Sequence, residues 1–188
     1  MTVGILAIQG DFAAHQRAFA QLGAATALVR KAADLTALGA LVLPGGESTA
    51  MLHGIMRDGL DAPLAAFLKS GRPLLGTCAG AILLARRVDS PSQRSYGILG
   101  IAVTRNAYGT QLESFEAPLE GMAAFGGVSA IFIRAPRITD VDPSVTVLAR
   151  VNSDPVLVRS GSTWAATFHP ELGTDERVLR AWLRSSRQ

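Results

Sequence analysis

The sequence predicts an α/β protein with three layers, α/β/α, around an open sheet that is mostly parallel in its first half and mixed or antiparallel in its second. In the first half, short runs that are apolar at consecutive positions alternate with segments of helical periodicity. Strands that are apolar on both faces are typical of a parallel sheet covered by helices on both sides. In the second half, short β-branched segments follow one another with Gly, Pro, Asp and Asn between them, which favours antiparallel pairing.

The first half begins with a buried strand, a turn and an amphipathic helix, and this unit is repeated with variations. Strands are expected over residues 3–8, 25–29, 40–43 and 73–75. Helices are expected over residues 12–22, 33–38, 48–56, 60–70 and 79–85. Ser48 is the expected N-cap of the third of these helices, because its hydroxyl can accept from a free N–H group of the first turn.

The second half is expected to contain strands over residues 100–105, 129–134, 145–151, 155–159 and 164–168. The polar segment 88–97 is expected to be a surface loop. Residues 174–185 form the expected closing helix, whose apolar positions face inward and whose arginines form a solvated face. The inward set is Val178, Leu179, Trp182 and Leu183, and the solvated set is Arg177, Arg180, Arg184 and Arg187.

The composition indicates one cytoplasmic domain that spans residues 1–188. A chain of 188 residues that is 48% hydrophobic and 18% charged is long enough for one core. A single cysteine cannot form an internal disulfide, and the first residues lack the charged region and cleavage site of a signal peptide. The apolar runs end short of the roughly 20 residues that a membrane helix needs. The net charge of +3 is spread over scattered arginines without a basic block, so no nucleic-acid or membrane partner is expected.

The only cysteine lies at a strand-to-helix corner, Gly76-Thr77-Cys78-Ala79-Gly80. A Gly-x-Cys-x-Gly corner resembles the Gly-x-Ser-x-Gly nucleophile elbow, in which small flanking residues permit a tight turn that exposes the side chain. The N-terminus of the next helix would face the sulfur and favour thiolate, the nucleophilic form. The alternative is a buried structural thiol, because free cysteine is among the most buried residue types.

A thiol nucleophile needs a base, and the best candidate among the three histidines is His169. His15 and His53 lie within helical patterns and are expected to be surface or partly packed helix residues. His169 follows a strand, and Glu171 lies two positions further on, where an extended chain points side chains the same way about 6 to 7 Å apart. Cys78, His169 and Glu171 can therefore serve as nucleophile, base and orienting acid. Alternatively, His169 ends the strand by chance and Glu171 caps the next helix, which leaves Cys78 unexplained.

Three loops that each follow a strand are expected on one rim of the sheet, because open parallel sheets bind ligands beyond the carboxyl ends of their strands. These loops are Gln9-Gly10, Gly45-Gly46-Glu47 and Gly76-Thr77-Cys78. The paired glycines leave backbone N–H groups unobstructed and permit positive φ, so that loop can aim donors at a developing oxyanion. A phosphate-binding loop is the competing interpretation, but the Gly-Lys-Ser/Thr ending and the G-x-G-x-x-G spacing are missing.

Several blocks together resemble the class I, or triad, glutamine amidotransferases: Leu43-Pro44-Gly45-Gly46-Glu47-Ser48-Thr49, the cysteine corner and Phe168-His169-Pro170-Glu171. Within that class the chain is most similar to the glutaminase subunits of pyridoxal 5'-phosphate synthase. The narrower similarity is carried by Gln9-Gly10, Arg105-Asn106, Gly109, Glu113-Ser114-Phe115-Glu116 and Phe132-Ile133-Arg134-Ala135-Pro136. The blocks follow the family's order over essentially the whole chain, and the resemblance implies a flavodoxin-like open sheet.

The resemblance implies hydrolysis of L-glutamine to L-glutamate and ammonia, which passes to a separate, barrel-shaped pyridoxal 5'-phosphate synthase subunit. It implies that Cys78 forms a glutamyl thioester, that His169 transfers the protons and that Glu171 orients the imidazole. The implied substrate contacts are Gly46, Glu47, Ser48, Arg105, Ile133 and Arg134. The residues implied at the oxyanion site or the partner interface are Gly45, Gln9, Gly10 and Ala79. No cofactor or metal is expected, because one cysteine and three dispersed histidines show no ligand spacing.

Two other interpretations compete with this one. A related enzyme could share the elbow, either another class I amidotransferase subunit or a DJ-1/PfpI-like cysteine hydrolase or glyoxalase, and the Phe-His-Pro-Glu block argues against the DJ-1/PfpI group. A non-catalytic subunit could keep the fold without turnover, but the chain retains all three triad residues. Because an oxyanion loop that closes only with its partner limits ammonia leakage, little activity is expected from the isolated chain.

Overall fold

The fold of this chain, a computed structural model, is described for residues 1–105, 107 and 114–187. Its strands are β1 (Val3–Leu6), β2 (Thr26–Val29), β3 (Ala40–Leu43), β4 (Leu74–Thr77), β5 (Ala85–Asp89), β6 (Leu99–Thr104), β7 (Ser114–Pro118), β8 (Glu120–Gly121), β9 (Ser129–Ile133), β10 (Arg137–Val141), β11 (Thr146–Val151), β12 (Asp154–Ser160) and β13 (Thr163–Ala166). Its helices are α1 (Phe12–Gln21), α2 (Ser48–Arg57), α3 (Asp61–Leu68), α4 (Ala79–Leu84) and α5 (Arg177–Ser185), with a 3-10 helix at Ala32–Leu35.

The central sheet has the strand order β2-β1-β3-β4-β13-β12-β11-β8. Pairing is parallel from β2 to β13 and antiparallel from β13 to β8. Two smaller sheets, β10-β6-β5 and β7-β9, are built from strands that follow α4 in the chain. The predicted division into a parallel first half and a mixed or antiparallel second half is confirmed.

The two faces of the central sheet carry separate apolar cores. Along β3, Leu41 and Leu43 pack into the core that includes α2, α3 and α4, whereas Ala40 and Val42 pack into the core of α1 and α5. On the second face, the indole N–H of Trp182 in α5 donates to the carbonyl oxygen of Leu74 at 3.0 Å. Each fully buried aliphatic side chain contributes about 1.5–3 kcal/mol, so the helices are held mainly by these faces.

Most predicted elements of the first half lie within a few residues of their expected bounds, but the cap of α2 differs. Glu47 caps this helix, because its carboxylate accepts from the N–H groups of Thr49 at 3.0 Å and Ala50 at 2.7 Å. Ser48 is the first helical residue, so its prediction as the N-cap was wrong. The expected helix at 33–38 is the short 3-10 helix at Ala32–Leu35.

In the second half, the sequence patterns miss several strands. Segment 88–97 was expected to be a surface loop, but it begins inside β5, and Val88 is buried. β7, β8 and β10 were not predicted either. β10 is a largely polar strand that pairs with β6, and such a strand depends on its neighbour more than on its own composition. The closing helix α5 begins at Arg177 and buries the four predicted apolar residues, with the four arginines exposed.

Within the part of the chain that the structure describes, every helix is too short or too polar to cross a membrane.

Gly80 packs α4 directly against the backbone of β3. A Cβ atom at this position would lie 1.9 Å from the carbonyl oxygen of Leu43, and backbone in the middle of a sheet cannot move aside. We expect Gly80→Ala to lower the free energy of unfolding by about 3 kcal/mol, measured by urea denaturation. In the control variant Gly126→Ala, the added methyl group meets only the Ala123 carbonyl oxygen at 3.9 Å, and the change should stay below about 1 kcal/mol. Equal stability of the two variants would contradict this close contact.

Candidate active site

Three loops meet beyond the carboxyl ends of β1, β3 and β4, as the sequence predicts. The N–H of Asp11 donates to the carbonyl oxygen of Gly45 at 3.1 Å, and the N–H of Glu47 donates to the side-chain oxygen of Gln9 at 2.8 Å. Gly10 and Gly46 have φ values of +97° and +152°. A Cβ atom on Gly46 would lie 2.8 Å from the backbone Cα of Gly10, so the close approach of these two loops requires glycine.

Cys78 occupies the tight corner between β4 and α4. Its φ of 46° and ψ of −103° are uncommon for a residue with a side chain, and holding such a conformation costs about 1–3 kcal/mol. A Cβ atom on Gly76 would lie 2.7 Å from the backbone of Gly80, which explains the glycines on both sides of the corner. The Cys78 side chain is largely buried, and its Sγ lies 3.7 Å from the carbonyl oxygen of Ile133.

His169 and Glu171 form a buried pair, with 2.8 Å between Nδ1 and Oε1. Burial by itself lowers the pKa of His169, but hydrogen bonds and charges from Cys78 and Glu171 outweigh it and raise that pKa to about 10. The ring also packs against the glycine loop, since a Cβ atom on Gly45 would lie 2.2 Å from His169 Cε1. Thiol, imidazole and carboxylate are therefore aligned next to the loop that was predicted to hold the oxyanion donors.

His15 is the functional candidate that the sequence analysis missed. It is fully buried, and its Nε2 lies 3.0 Å from Thr77 Oγ1 and 3.4 Å from Glu171 Oε2. The prediction that His15 is a surface or partly packed residue was therefore wrong. The spacing of His15 and Phe19 in the sequence indicated that His15 is buried. Residues four apart lie on the same face of a helix, and Phe19 packs on the buried face of α1. His53, by contrast, is exposed as expected.

Burial raises the pKa of Glu171, but the neighbouring His15 and the hydrogen bond and charge of His169 outweigh it and lower that pKa. Glu171 is therefore ionised at neutral pH although its side chain is inaccessible to solvent. An ionised carboxylate on Nδ1 keeps the other nitrogen of the His169 ring available for chemistry with the thiol.

The thiol opens into a cavity of about 450 Å³, a size suited to a small ligand. The lining residues are Gln9, Gly46, Glu47, Ser48, Cys78, Ile82, Arg105, Ile133, Arg134 and His169. All six predicted substrate contacts are among them, and Ile82 was not predicted.

The other predicted site residues lie around this cavity. Glu171 binds the His169 ring from behind, Gly45 packs against that ring, and Gly10 lies against Gly45. Ala79 is the buried first residue of α4. The motif positions Asn106, Gly109 and Glu113 fall outside the described residues.

Charged and polar groups surround the mouth of this cavity. Arg105 Nη2 lies 3.0 Å from Glu47 Oε1, so the carboxylate that caps α2 also holds a cation over the site. Gln93 accepts from the hydroxyls of Ser48 at 2.9 Å and Thr49 at 3.2 Å, and thereby fixes the start of α2. Arg134 has a φ of 45° and follows β9 directly.

The arrangement suits nucleophilic acyl transfer from a small molecule that carries both a carboxylate and an ammonium group. The thiol, base and carboxylate provide covalent and proton-transfer chemistry, and the arginines and Glu47 provide complementary charges. Among residues 1–105, 107 and 114–187, no group of three or more His, Cys, Asp or Glu side chains is placed to hold a metal ion.

Comparison with known proteins gives consistent matches over the full chain. Residues 5–187 match the model of the SNO glutamine amidotransferase family. The chain is 46% identical over 187 residues to "Pyridoxal 5'-phosphate synthase subunit PdxT" of Koribacter versatilis, with 100% of this chain and 96% of that protein covered. A protein of the same name from Deinococcus radiodurans is 46% identical over 188 residues, with 97% and 96% covered. A solved structure described as "Crystal structure of glutamine amidotransferase" superposes with a TM-score of 0.91 at 42% identity and covers 99% of both chains.

Proposed function

The chain belongs to the SNO glutamine amidotransferase family, and from this premise we propose that it is the glutaminase subunit of a pyridoxal 5'-phosphate synthase. It hydrolyses L-glutamine to L-glutamate and ammonia, and it supplies the ammonia to a barrel-shaped synthase subunit. Residues 1–188 act as one glutaminase domain. The observation that carries the proposal is that the cavity holding all six predicted substrate contacts opens onto Cys78 and His169, with Glu171 bound behind the imidazole.

In this mechanism Cys78 reacts as a thiolate and His169 as an imidazolium. A His169 pKa of about 10 favours the protonated ring at neutral pH. The sulfur attacks the side-chain amide carbon of glutamine, and a tetrahedral oxyanion forms. His169 then donates its proton to the nitrogen, the C–N bond breaks, and ammonia leaves a glutamyl thioester. Neutral His169 next takes a proton from water, which attacks the thioester. The C–S bond breaks, and glutamate, the thiolate and the imidazolium are regenerated.

Backbone N–H groups of Ala79 and of the Gly45-Gly46 loop are the proposed oxyanion donors. Ala79 is the first residue of α4, where N–H groups have no acceptor within the helix. The glycine loop depends on Gln9, which binds the N–H of Glu47, and on Gly10, which packs against Gly45. Gln9 and Gly10 therefore control the direction of the N–H groups of this loop. We propose that the partner subunit acts by changing the contact of Gln9 and Gly10 with the loop.

The proposed substrate pose follows from charge and shape. Arg105 and Arg134 bind the α-carboxylate of glutamine, because the planar guanidinium can bond both carboxylate oxygens. Glu47 accepts from the α-ammonium group, and its pKa is lowered because N–H bonds from Thr49 and Ala50 outweigh its partial burial. Gly46 and Ser48 contact the substrate from the loop, and Ile133 packs against its methylene groups.

The proposal is tested by measuring glutamine hydrolysis with the chain alone and with the synthase subunit of the same organism. We expect a rate increase of at least about tenfold with the partner, which corresponds to a barrier lower by about 1.4 kcal/mol, because the partner completes the oxyanion site. A control uses the synthase subunit without this chain. No hydrolysis under either condition would overturn the proposed function, and equal rates under both would overturn control by the partner.

A further inference from the structure

We propose that His15 is a positioning residue for the triad, whose Nε2–H lies against the second carboxylate oxygen of Glu171 and stabilises its charge. The inference deepens the proposed function and rests on it. Glu171 uses Oε1 to bind His169 Nδ1 at 2.8 Å, whereas its buried Oε2 has no hydrogen-bond partner among the described residues and lies 3.4 Å from His15 Nε2. The orienting carboxylate therefore lies between two imidazole rings, with a hydrogen bond to one of them and the N–H of the other close to its second oxygen.

The position of the His15 ring is fixed by its surroundings. The residue is inaccessible to solvent, and its ring stacks on Phe19 with 6.3 Å between centroids. Thr77 Oγ1 lies 3.0 Å from the same Nε2, and Thr77 directly precedes Cys78 in the chain. His15 thus connects the corner that carries the nucleophile to the carboxylate that orients the base.

The chemistry of the contact determines where the proton of His15 lies. An ionised carboxylate only accepts hydrogen bonds, so a favourable contact between Nε2 and Glu171 requires the proton on Nε2, from which it can also reach Thr77 Oγ1. His15 Nδ1 is buried without a hydrogen-bond partner among the described residues, and a second N–H there would cost about 1–3 kcal/mol. The titratable groups around the ring are Glu171, His169 and Asp11, and burial together with His169 outweighs the two carboxylates and lowers the His15 pKa. The ring is therefore neutral.

Glu171 Oε2 has no hydrogen bond among the described residues, so removal of His15 would take away the one imidazole N–H that lies close to this buried oxygen. Burial disfavours the charged form, so the pKa of Glu171 would rise. Once protonated, Glu171 can no longer stabilise the His169 imidazolium, so activity is lost as the pH falls through the pKa of Glu171. His15 is therefore expected to determine the acid limit of activity, although it contacts no reacting atom.

The test compares His15→Leu, which fills the space without a donor, with His15→Gln, whose amide nitrogen lies near the position of Nε2. His53→Leu is the matched control, because His53 is exposed on α2. For each variant, kcat and KM for glutamine are measured against pH in the complex with the synthase subunit, and thermal unfolding reports folding. The rate of Cys78 alkylation by iodoacetamide is measured against pH without glutamine, and it reports one site because the chain has one cysteine.

We expect His15→Leu to lower kcat by about 10- to 100-fold with KM nearly unchanged, and to move the acid limbs of kcat/KM and of alkylation to higher pH. His15→Gln should restore most of the activity, and His53→Leu should match the wild type.

Wild-type kcat and pH limbs in His15→Leu would overturn the inference. So would a folded His15→Gln as impaired as His15→Leu, because only packing would then matter. If the wild-type complex hydrolyses no glutamine while alkylation still shifts in His15→Leu, the proposed function fails but the role of His15 is supported.

Discussion

Replacement of Cys78 by alanine is expected to lower kcat for glutamine hydrolysis by at least about 10⁴-fold in the complex with the synthase subunit. The reason is chemical, since no other side chain among those that line the described cavity is a thiol. His169 and the oxyanion donors can still polarise water and amide, but the covalent route through the thioester is closed. Undiminished hydrolysis by Cys78→Ala would overturn the main proposal.

The loss of activity in Cys78→Ala can be distinguished from a loss of folding. Alanine keeps the Cβ atom and the strained corner at φ 46°, and the substitution removes only the sulfur, which lies 3.7 Å from the carbonyl oxygen of Ile133 and interacts with His169. Thermal unfolding of Cys78→Ala should therefore match the wild type within about 2–4 °C, which corresponds to less than about 1 kcal/mol for a chain of this size. Acid-quenched mass spectrometry gives the matched chemical readout, with a glutamyl adduct on the wild type and none on the alanine variant.

Much of the architecture could be predicted from the sequence because parallel strands carry a strong local signal. β3 is apolar at every position, and such a run is expected only where both faces of a sheet are covered. The corner at Cys78 was predictable for a similar reason, because the glycines on either side reflect close backbone contacts. The pairing of His169 with Glu171 was predicted from the period of an extended chain, but it forms in a turn beyond β13, where the N–H of Leu172 donates to the carbonyl oxygen of His169 at 3.2 Å.

The remaining features depend on contacts between distant parts of the chain. His15 lies in a helical pattern that places it on the Phe19 face, but only the packed fold brings that face against Glu171. Gln93 belongs to a polar segment without a motif, yet it binds the hydroxyls of Ser48 and Thr49 across 45 and 44 residues of sequence. Edge strands such as β10 likewise form because the neighbouring strand, here β6, provides backbone hydrogen bonds. Local patterns therefore indicated the groups that we propose to react, and tertiary structure was needed to find the residues that hold them.

Replacement of Glu171 by glutamine is expected to lower kcat by about 10³-fold or more and to move the alkaline limb of the pH profile downward. The pKa of His169 is about 10, because contacts with Cys78 and Glu171 outweigh its burial. Glutamine has nearly the same shape but no charge, so it removes one of the groups that raise this pKa. The imidazolium then loses its proton at lower pH, and above that pH no acid remains to protonate the departing ammonia.

The pH profile of the complex, recorded from acid to alkaline conditions, distinguishes this effect from that of His15. Glu171→Gln has no carboxyl group to titrate and should shift the alkaline limb downward, whereas His15→Leu should shift the acid limb upward through the pKa of Glu171. The control Glu120→Gln removes an exposed carboxylate on the edge strand β8 and should change neither limb. An unchanged alkaline limb in Glu171→Gln would mean that burial and Cys78 alone set the pKa of His169, and the role of Glu171 would then be limited to holding the ring in place.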